Sequence, residues 1–222
     1  MRRYTKHVVV GILVIVAFSA FLLALRAEEE NKEKEKKREM KSPEEIVKDT
    51  TEEVLNVLRD PELKKEKKTE ERRQKVREAV EDVFDWRALA QRALARHWRP
   101  RTEEERKEFV SLFRSLVEKT YLRRIEEHAD AEIVYKGQEV EDGYASVNAV
   151  GKAKDGTEVP IVYRLHQATK DKDEEEAAEW LIYDVKVEGV SLVNNYRSQF
   201  NDIIVGGSYK KLIKLLKKKV KK

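Results

Sequence analysis

The chain has 222 residues, of which 40% are hydrophobic and 41% are charged, so it can build the core of one domain. It contains no cysteine, which excludes a disulfide framework, thiol catalysis and cysteine metal sites. The net charge is +4, but eight lysines and no acid lie between Tyr209 and Lys222, which leaves −4 on the rest of the chain. A general nucleic-acid surface is therefore not expected.

The N-terminus has the order of an export segment. Three basic residues within the first six precede a predominantly apolar run over residues 8–25. These 18 residues exceed the usual signal core of about 7 to 15 and approach the roughly 20 that span a bilayer. We therefore predict that residues 1–27 are a signal peptide or an uncleaved membrane anchor, followed by a charged linker over 28–41. Both alternatives place the domain outside the cytoplasm.

The first half of the remaining chain has helical patterning. The sequence Ser42-Pro43-Glu44-Glu45 provides an N-cap, a proline at the first helical position and a glutamate at the third. Asp85 and Thr102 are further N-cap candidates, the second in a capping box with Glu105. Further helices are predicted at positions 76–83, at Trp86 to Trp98 and from Thr102 through Ile125.

From Ala131 onward the apolar period changes from helical to alternating. Four strands are predicted at Ile133 to Lys136, Tyr144 to Lys154, Glu158 to Gln167 and Glu179 to Glu188, with turns at Gly137, Glu141 to Gly143, Asp155-Gly156 and Lys170 to Glu176. The Asp155-Gly156 turn predicts that the second and third strands are antiparallel neighbours. Helices followed by a meander predict an α+β fold: a curved antiparallel sheet of about four strands packed against a helical layer, in a domain over residues 42–207.

Residues 208–222 form a basic amphipathic tail after a hinge at Gly206-Gly207-Ser208. Between Lys210 and Lys222 leucines and lysines alternate at helical spacing. Contact with a membrane surface and a solvated, frayed end are both open at this point.

No catalytic or metal-binding arrangement emerges from the sequence. The four histidines include no two at metal-ligand spacing, and a nucleophile elbow or glycine-rich oxyanion loop is missing. His97, on the apolar side of its helix, is predicted to be a hydrogen-bonded packing residue. We therefore expect a protein that is not an enzyme and needs no metal or cofactor.

The segment Trp180 to Phe200 passes from strand period to helix period across Gly189. Its helix carries a stripe of Leu192, Tyr196 and Phe200 behind an N-cap at Ser191. Periodicity alone favours ordinary core for such a stripe over a ligand pocket. Arg197 is predicted to form an ion pair with Asp184 or Glu188 at the end of the strand, with a lipid phosphate as the alternative partner.

Two stretches resemble the MlaC family of periplasmic phospholipid-binding proteins, also called toluene-tolerance auxiliary proteins. They are YDVKVEGVSLVNNYRSQF, ending at Phe200, and ALARHWRPRTEEERKEFVSLFRSLVEKTY at Ala93 to Tyr121. The resemblance covers roughly Ser42 to Leu216. It implies an MlaC-like fold and a periplasmic carrier that shields phospholipid acyl chains in an apolar pocket, with the lipid as cargo.

The resemblance also implies partners and a site. The carrier would move lipid between the outer membrane and an inner-membrane ABC transporter complex, with an outer-membrane lipoprotein complex as the second partner, and so maintain outer-membrane lipid asymmetry. The alternative is a membrane-tethered structural or adaptor domain with an ordinary packed core. The residues expected to line the pocket are Trp86, Leu89, Leu94, Phe109, Leu112, Phe113, Leu116, Tyr121, Val147, Ile161, Tyr163, Leu165, Tyr183, Val185, Leu192, Tyr196 and Phe200.

Overall fold

The structure, a computed structural model, describes residues 41–168 and 179–221. The export segment, the linker up to residue 40 and the turn at 170–176 lie outside the described residues. Among those that are described, no helix is long and apolar enough to cross a membrane. The helices are α1 (Pro43–Arg59), α2 (Thr69–Glu81), α3 (Trp86–Leu94), α4 (Glu103–Glu127), α5 (Leu192–Val205) and α6 (Tyr209–Lys221), with 3-10 turns at Glu66–Lys68 and Ala95–His97. The strands are β1 (Glu132–Glu141), β2 (Tyr144–Lys152), β3 (Glu158–Ala168), β4 (Glu179–Val187) and β5 (Val190–Ser191).

The predicted helix starts are confirmed by their caps. Ser42 and Thr102 both form capping boxes, and the Asp85 side chain accepts a hydrogen bond from the Ala88 N–H. The helix that begins at Trp86 ends at Leu94 rather than at the predicted Trp98. Its last residue is followed by Ala95 at φ +49°, and a 3-10 turn continues to His97.

The strands form a single antiparallel sheet in which each strand pairs with the next along the chain. The four predicted strands are present, and β5 adds a fifth of two residues. β2 and β3 are antiparallel neighbours, as the Asp155-Gly156 turn predicts. Gly137 does not end the first strand as predicted, because it lies at a bulge within β1 with φ +97° and the strand continues to Glu141.

The apolar interior is divided into clusters. The helical cluster lies among α3, α4, α5 and α6 and contains Leu89, Ala90, Ala93, Leu94, Trp98, Phe109, Phe113, Leu116, Val117, Val193, Tyr196, Phe200, Leu212, Ile213 and Leu216. The sheet cluster joins α1 to one face of the sheet and contains Val47, Ala145, Val147, Leu165, Trp180 and Ile182. A third cluster joins α1, α2 and α4 through Val54, Leu58, Val76, Leu122 and Ala129.

A buried carboxylate fixes the strand-to-helix segment singled out in the sequence. Asp184 is 2% exposed and accepts hydrogen bonds from the Ser191 hydroxyl at 2.7 Å and the Val193 N–H at 3.1 Å. It therefore satisfies donors at the start of α5. The ion pair predicted for Arg197 is wrong: its Nε donates to the backbone carbonyl of Arg92 at 2.9 Å. With Asp184 already occupied by the helix start, the arginine instead ties α5 to α3.

Candidate functional site

The residues predicted to line one pocket lie in different parts of the structure. The helical cluster and its border hold Trp86, Leu89, Leu94, Phe109, Leu112, Phe113, Leu116, Tyr121, Leu192, Tyr196 and Phe200. The sheet cluster and its border hold Val147, Tyr163, Leu165 and Val185. Ile161 lies on β3 beside Gly151 of β2, and Tyr183 packs edge-on against Tyr144 and His166.

The helical cluster is closely packed. The Phe113 side chain is fully buried, with ring centroids 5.9 Å from Phe109, 5.2 Å from Tyr196 and 5.6 Å from Phe200. The contacts to Tyr196 and Phe200 are edge-to-face, a favourable arrangement for aromatic rings. This part of the predicted set has the packing of a core.

The sheet cluster has a different construction. Along β2 the buried positions on one face are Ala145, Val147, Ala149 and Gly151, none larger than valine. Ala145 and Val147 lie in one cluster with Val47 of α1. Larger apolar side chains pack against the sheet cluster and are only partly buried: Ile46, Val83, Phe84, Tyr135, Tyr163 and Val185. We call the contact between α1 and this sheet face the seam; it comprises the sheet cluster and the partly buried residues that border it.

Hydrogen bonds connect α1 to β1 and to the segment before β1. The Glu44 N–H donates to the Gln138 side chain at 2.7 Å, and Arg59 donates to the carbonyls of Ala129 at 2.8 Å and Ala131 at 2.9 Å. These contacts lie at the two ends of α1. Between these ends α1 meets the sheet through apolar side chains, and the Thr51 hydroxyl of α1 faces Tyr135 and Tyr163.

The two seam tyrosines are Tyr135 and Tyr163. Burial raises the pKa of Tyr163 to about 12, and the Thr51 hydroxyl on α1 opposes that shift. Burial also raises the pKa of Tyr135, whose hydroxyl is enclosed without a hydrogen bond of good geometry to any described residue. The seam is therefore an apolar site that carries the hydroxyl groups of Tyr135, Tyr163 and Thr51.

The Tyr163 pKa predicts that stability falls at alkaline pH. The unfolded chain ionises this hydroxyl near pH 10 and the folded chain only near pH 12, so deprotonation above pH 10 favours the unfolded state. The expected loss from this group is on the order of 1 kcal/mol at pH 11 and negligible below pH 9. Urea titrations measure the free energy of unfolding at pH 8 and at pH 11. Between these two pH values it should fall less in Tyr163→Phe than in the wild-type protein, by the amount assigned to Tyr163. The control Tyr144→Phe, at an exposed ring, should keep the wild-type drop; equal drops in all three proteins would contradict the burial argument.

Phe84 and Trp86 connect the seam to the helical cluster. Their rings stack at 5.3 Å, and Phe84 contacts both clusters. Phe84 is held at the sheet by a short parallel bridge, in which the Ile182 N–H donates to the Val83 carbonyl at 2.8 Å and the Asp85 N–H donates to the Ile182 carbonyl at 3.0 Å. Sequence reasoning missed Phe84, because a one-residue bridge has no periodic signal.

Sequence reasoning also missed the small residues of the seam. Ala145 and Ala149 alternate with polar positions on β2, and this period places them on the face of Val147. Their alternation could have been read from the sequence. That they face a helix was not visible there, because the contact joins segments about a hundred residues apart.

Two surface hollows of about 470 and 450 Å³ lie away from these clusters. The first is bordered by charged side chains including Asp130, Lys152 and Glu158, and the second lies between α1 and α2 near Asp60 and Lys75. None of the predicted pocket residues borders either one. Neither hollow is therefore the pocket expected from the sequence.

The described histidines have structural partners. His97 Nε2 lies 3.2 Å from Asn201 Oδ1, which confirms its prediction as a hydrogen-bonded packing residue, and His166 Nε2 lies 2.9 Å from Asp85 Oδ2. His128 Nδ1 lies 2.8 Å from the Arg124 carbonyl. Across the described ranges, no group of three His, Asp or Glu side chains is placed to hold a metal ion.

The architecture is that of an α+β protein in which an open antiparallel sheet is covered by helices, as predicted. The family described as MlaC protein matches residues 48–218, and the chain belongs to that family. A phospholipid-binding protein from Ralstonia solanacearum, solved in complex with a phospholipid, has a similar fold, with a TM-score of 0.69 and 23% sequence identity. The match covers 81% of this chain and 97% of that one. No curated protein matches.

Proposed function

We propose that this protein is a phospholipid carrier and that the seam is the place where the acyl chains bind. The observation that carries the proposal is the row of small side chains on β2, which faces α1 inside a rim of partly buried aliphatic and aromatic residues. The fold supports it, since a phospholipid is bound in the Ralstonia protein of similar fold. Of the predicted pocket residues, Val147, Tyr163, Leu165 and Val185 would then contact lipid.

The hydrophobic effect sets the requirement for such a carrier. Two acyl chains of roughly 16 carbons would cost about 25 kcal/mol to expose to water, at about 0.8 kcal/mol per methylene. Both chains must therefore be shielded during transfer. Separation of α1 from the sheet would create apolar walls on both sides, and acyl methylenes would take the place of Val47 against the sheet face.

Opening the seam leaves the sheet unchanged. Glu44 and Arg59 join the two ends of α1 to β1 and to the segment before it, and the Thr51 hydroxyl facing Tyr135 and Tyr163 would also have to part from the sheet. A ligand shifts such an equilibrium by its differential affinity for the open state. The closed seam is then the empty form of the carrier and the open seam is the loaded form.

We further propose that the carrier works in the periplasm and exchanges lipid between the outer membrane and an inner-membrane ABC transporter complex. Family membership and the basic-then-apolar order of the N-terminus support this assignment. The apolar environments of the seam and of the membrane would nearly balance for the lipid. The partner complexes would therefore set the direction of transfer.

Lipid extraction tests the proposal. The protein purified without detergent is expected to yield about one phospholipid per chain by organic extraction and mass spectrometry. Delipidated protein is expected to take up phospholipid from liposomes. Repeated absence of phospholipid together with no uptake would contradict the proposal and favour an adaptor domain with an ordinary packed core.

A further inference from the structure

The C-terminal helix α6 divides its surface into an apolar side and a lysine side. Leu212, Ile213 and Leu216 are buried in the helical cluster against α4. The apolar side is therefore used in the fold and is not available for insertion into a bilayer. Apart from Leu215, which is 37% exposed, the exposed side chains of α6 are lysines.

The lysines concentrate on one face of this helix. At 100° per residue, Lys210, Lys211, Lys214, Lys217, Lys218 and Lys221 fall within an arc of about 120°. All six are exposed, and α6 contains no acidic residue. The arc runs along a helix of roughly 20 Å, which is two to three Debye lengths at physiological salt. We call these six residues the lysine face.

The surroundings neutralise little of this charge. Among the described residues the one ion pair of the lysine face joins Lys217 to Glu108 of α4 at 2.6 Å. Lysines one turn apart, such as Lys210 and Lys214 or Lys214 and Lys218, repel each other within the helix. An opposing surface of negative charge would relieve that repulsion.

We propose that the lysine face docks the protein onto anionic phospholipid headgroups at a membrane surface. The inference rests on the proposed function, because a lipid carrier must meet a membrane to load or release. The residue types favour lipid over a protein partner. The face has lysine as its only cation and no aromatic residue, whereas protein interfaces are enriched in arginine and aromatic residues and depleted in lysine. Lysine is a hydrated point charge that suits diffuse attraction to a layer of phosphates.

Vesicle binding tests this docking. Protein is sedimented with vesicles of phosphatidylcholine alone and of phosphatidylcholine with about 30% phosphatidylglycerol, at about 50 and about 500 mM salt. We expect binding at least tenfold tighter to the anionic vesicles, with most of it lost at high salt because exposed charges are screened. Equal binding to both vesicle types, or binding that is insensitive to salt, would overturn the proposal.

A charge-matched pair of variants locates the site. One variant carries Lys→Gln at 210, 214, 218 and 221; the control carries Lys→Gln at the exposed positions 64, 67, 75 and 136. Each lysine near an anionic surface contributes roughly fivefold in affinity, so removal of four should weaken binding to anionic vesicles by up to roughly 600-fold. The control should change by less than about threefold. A loss below about tenfold in the first variant, or a comparable loss in the control, would show that the lysine face is not the docking site.

The docking test is independent of the pocket test. Glutamine keeps the helix propensity of lysine, so α6 should remain folded, and thermal unfolding checks this. Phospholipid extracted from the same preparations is expected to be unchanged in both variants. Loss of vesicle binding with lipid retained supports the lysine face as the docking site. Absence of lipid from every preparation contradicts lipid binding at the seam, and the vesicle measurement then tests the docking proposal independently. Tighter binding to duplex DNA than to anionic vesicles in the same buffer would assign the face to nucleic acid and overturn the proposal.

Discussion

Phe113→Ala is expected to lower the free energy of unfolding by about 4 kcal/mol. The ring is fully buried and packs against three other aromatic rings, so the substitution removes the transfer free energy of the side chain and part of its aromatic packing. The surrounding helices α4 and α5 are fixed by other side chains and can close the cavity only in part. Urea denaturation of the delipidated protein measures the change.

Tyr144→Ala is the control for this change. Its ring is 51% exposed and packs edge-on against Tyr183, so the expected cost stays below about 1.5 kcal/mol. A loss below about 2 kcal/mol in Phe113→Ala, combined with loss of extracted phospholipid, would reassign the helical cluster. The predicted residues on α4 and α5 would then be the wall of the pocket.

Ala149→Leu is expected to reduce the phospholipid bound per chain at least fivefold while the protein remains folded. Ala149 lies on the face of β2 that carries Val147, and its neighbours across the sheet are Tyr135 and Ile161, both partly buried. A leucine side chain there would occupy the space that an acyl chain needs and would add apolar contact in the closed form. Because Ala149 is itself buried, the larger side chain is expected to lower the unfolding free energy of the delipidated protein by about 1 to 3 kcal/mol.

The same substitution at Ala90 is the matched control. Ala90 is fully buried in the helical cluster, so it matches Ala149 in burial but lies outside the seam. Ala90→Leu should therefore destabilise by about 1 to 3 kcal/mol and leave the lipid content of the folded fraction unchanged. Lipid extraction and urea denaturation of both variants check the pair. Equal lipid contents in wild type and Ala149→Leu would contradict the seam as the binding site.

Local chemistry made much of the fold predictable from sequence. The capping boxes at Ser42 and Thr102 and the N-caps at Asp85 and Ser191 determine where helices begin, because each satisfies backbone donors within three residues. The alternation on β2 through β4 likewise depends on adjacent residues. Family membership followed from two segments that retain the family's pattern, and the match over residues 48–218 confirms it.

Contacts between distant segments were the part that sequence could not provide. The helical cluster and the seam contain apolar side chains of similar kinds. Periodicity therefore could not distinguish a packed core from a surface proposed to bind lipid. Arg197 illustrates the same limit: an acid near in sequence suggested an ion pair, but Asp184 is occupied by Ser191 and Val193. The burial of Leu212 and Leu216 depends in the same way on α4 lying beside α6.

The order of strands in the sheet has a consequence for how the chain acquires its structure. Each strand pairs with its successor, so β1 to β4 require no long crossover to assemble. The row of small side chains on β2 is built by pairing between consecutive strands, whereas its contact with α1 joins segments that are distant in sequence. Closing the loop between α1 and the sheet therefore carries a larger entropic cost than pairing one strand with the next, so docking of α1 is the more expensive step of assembly.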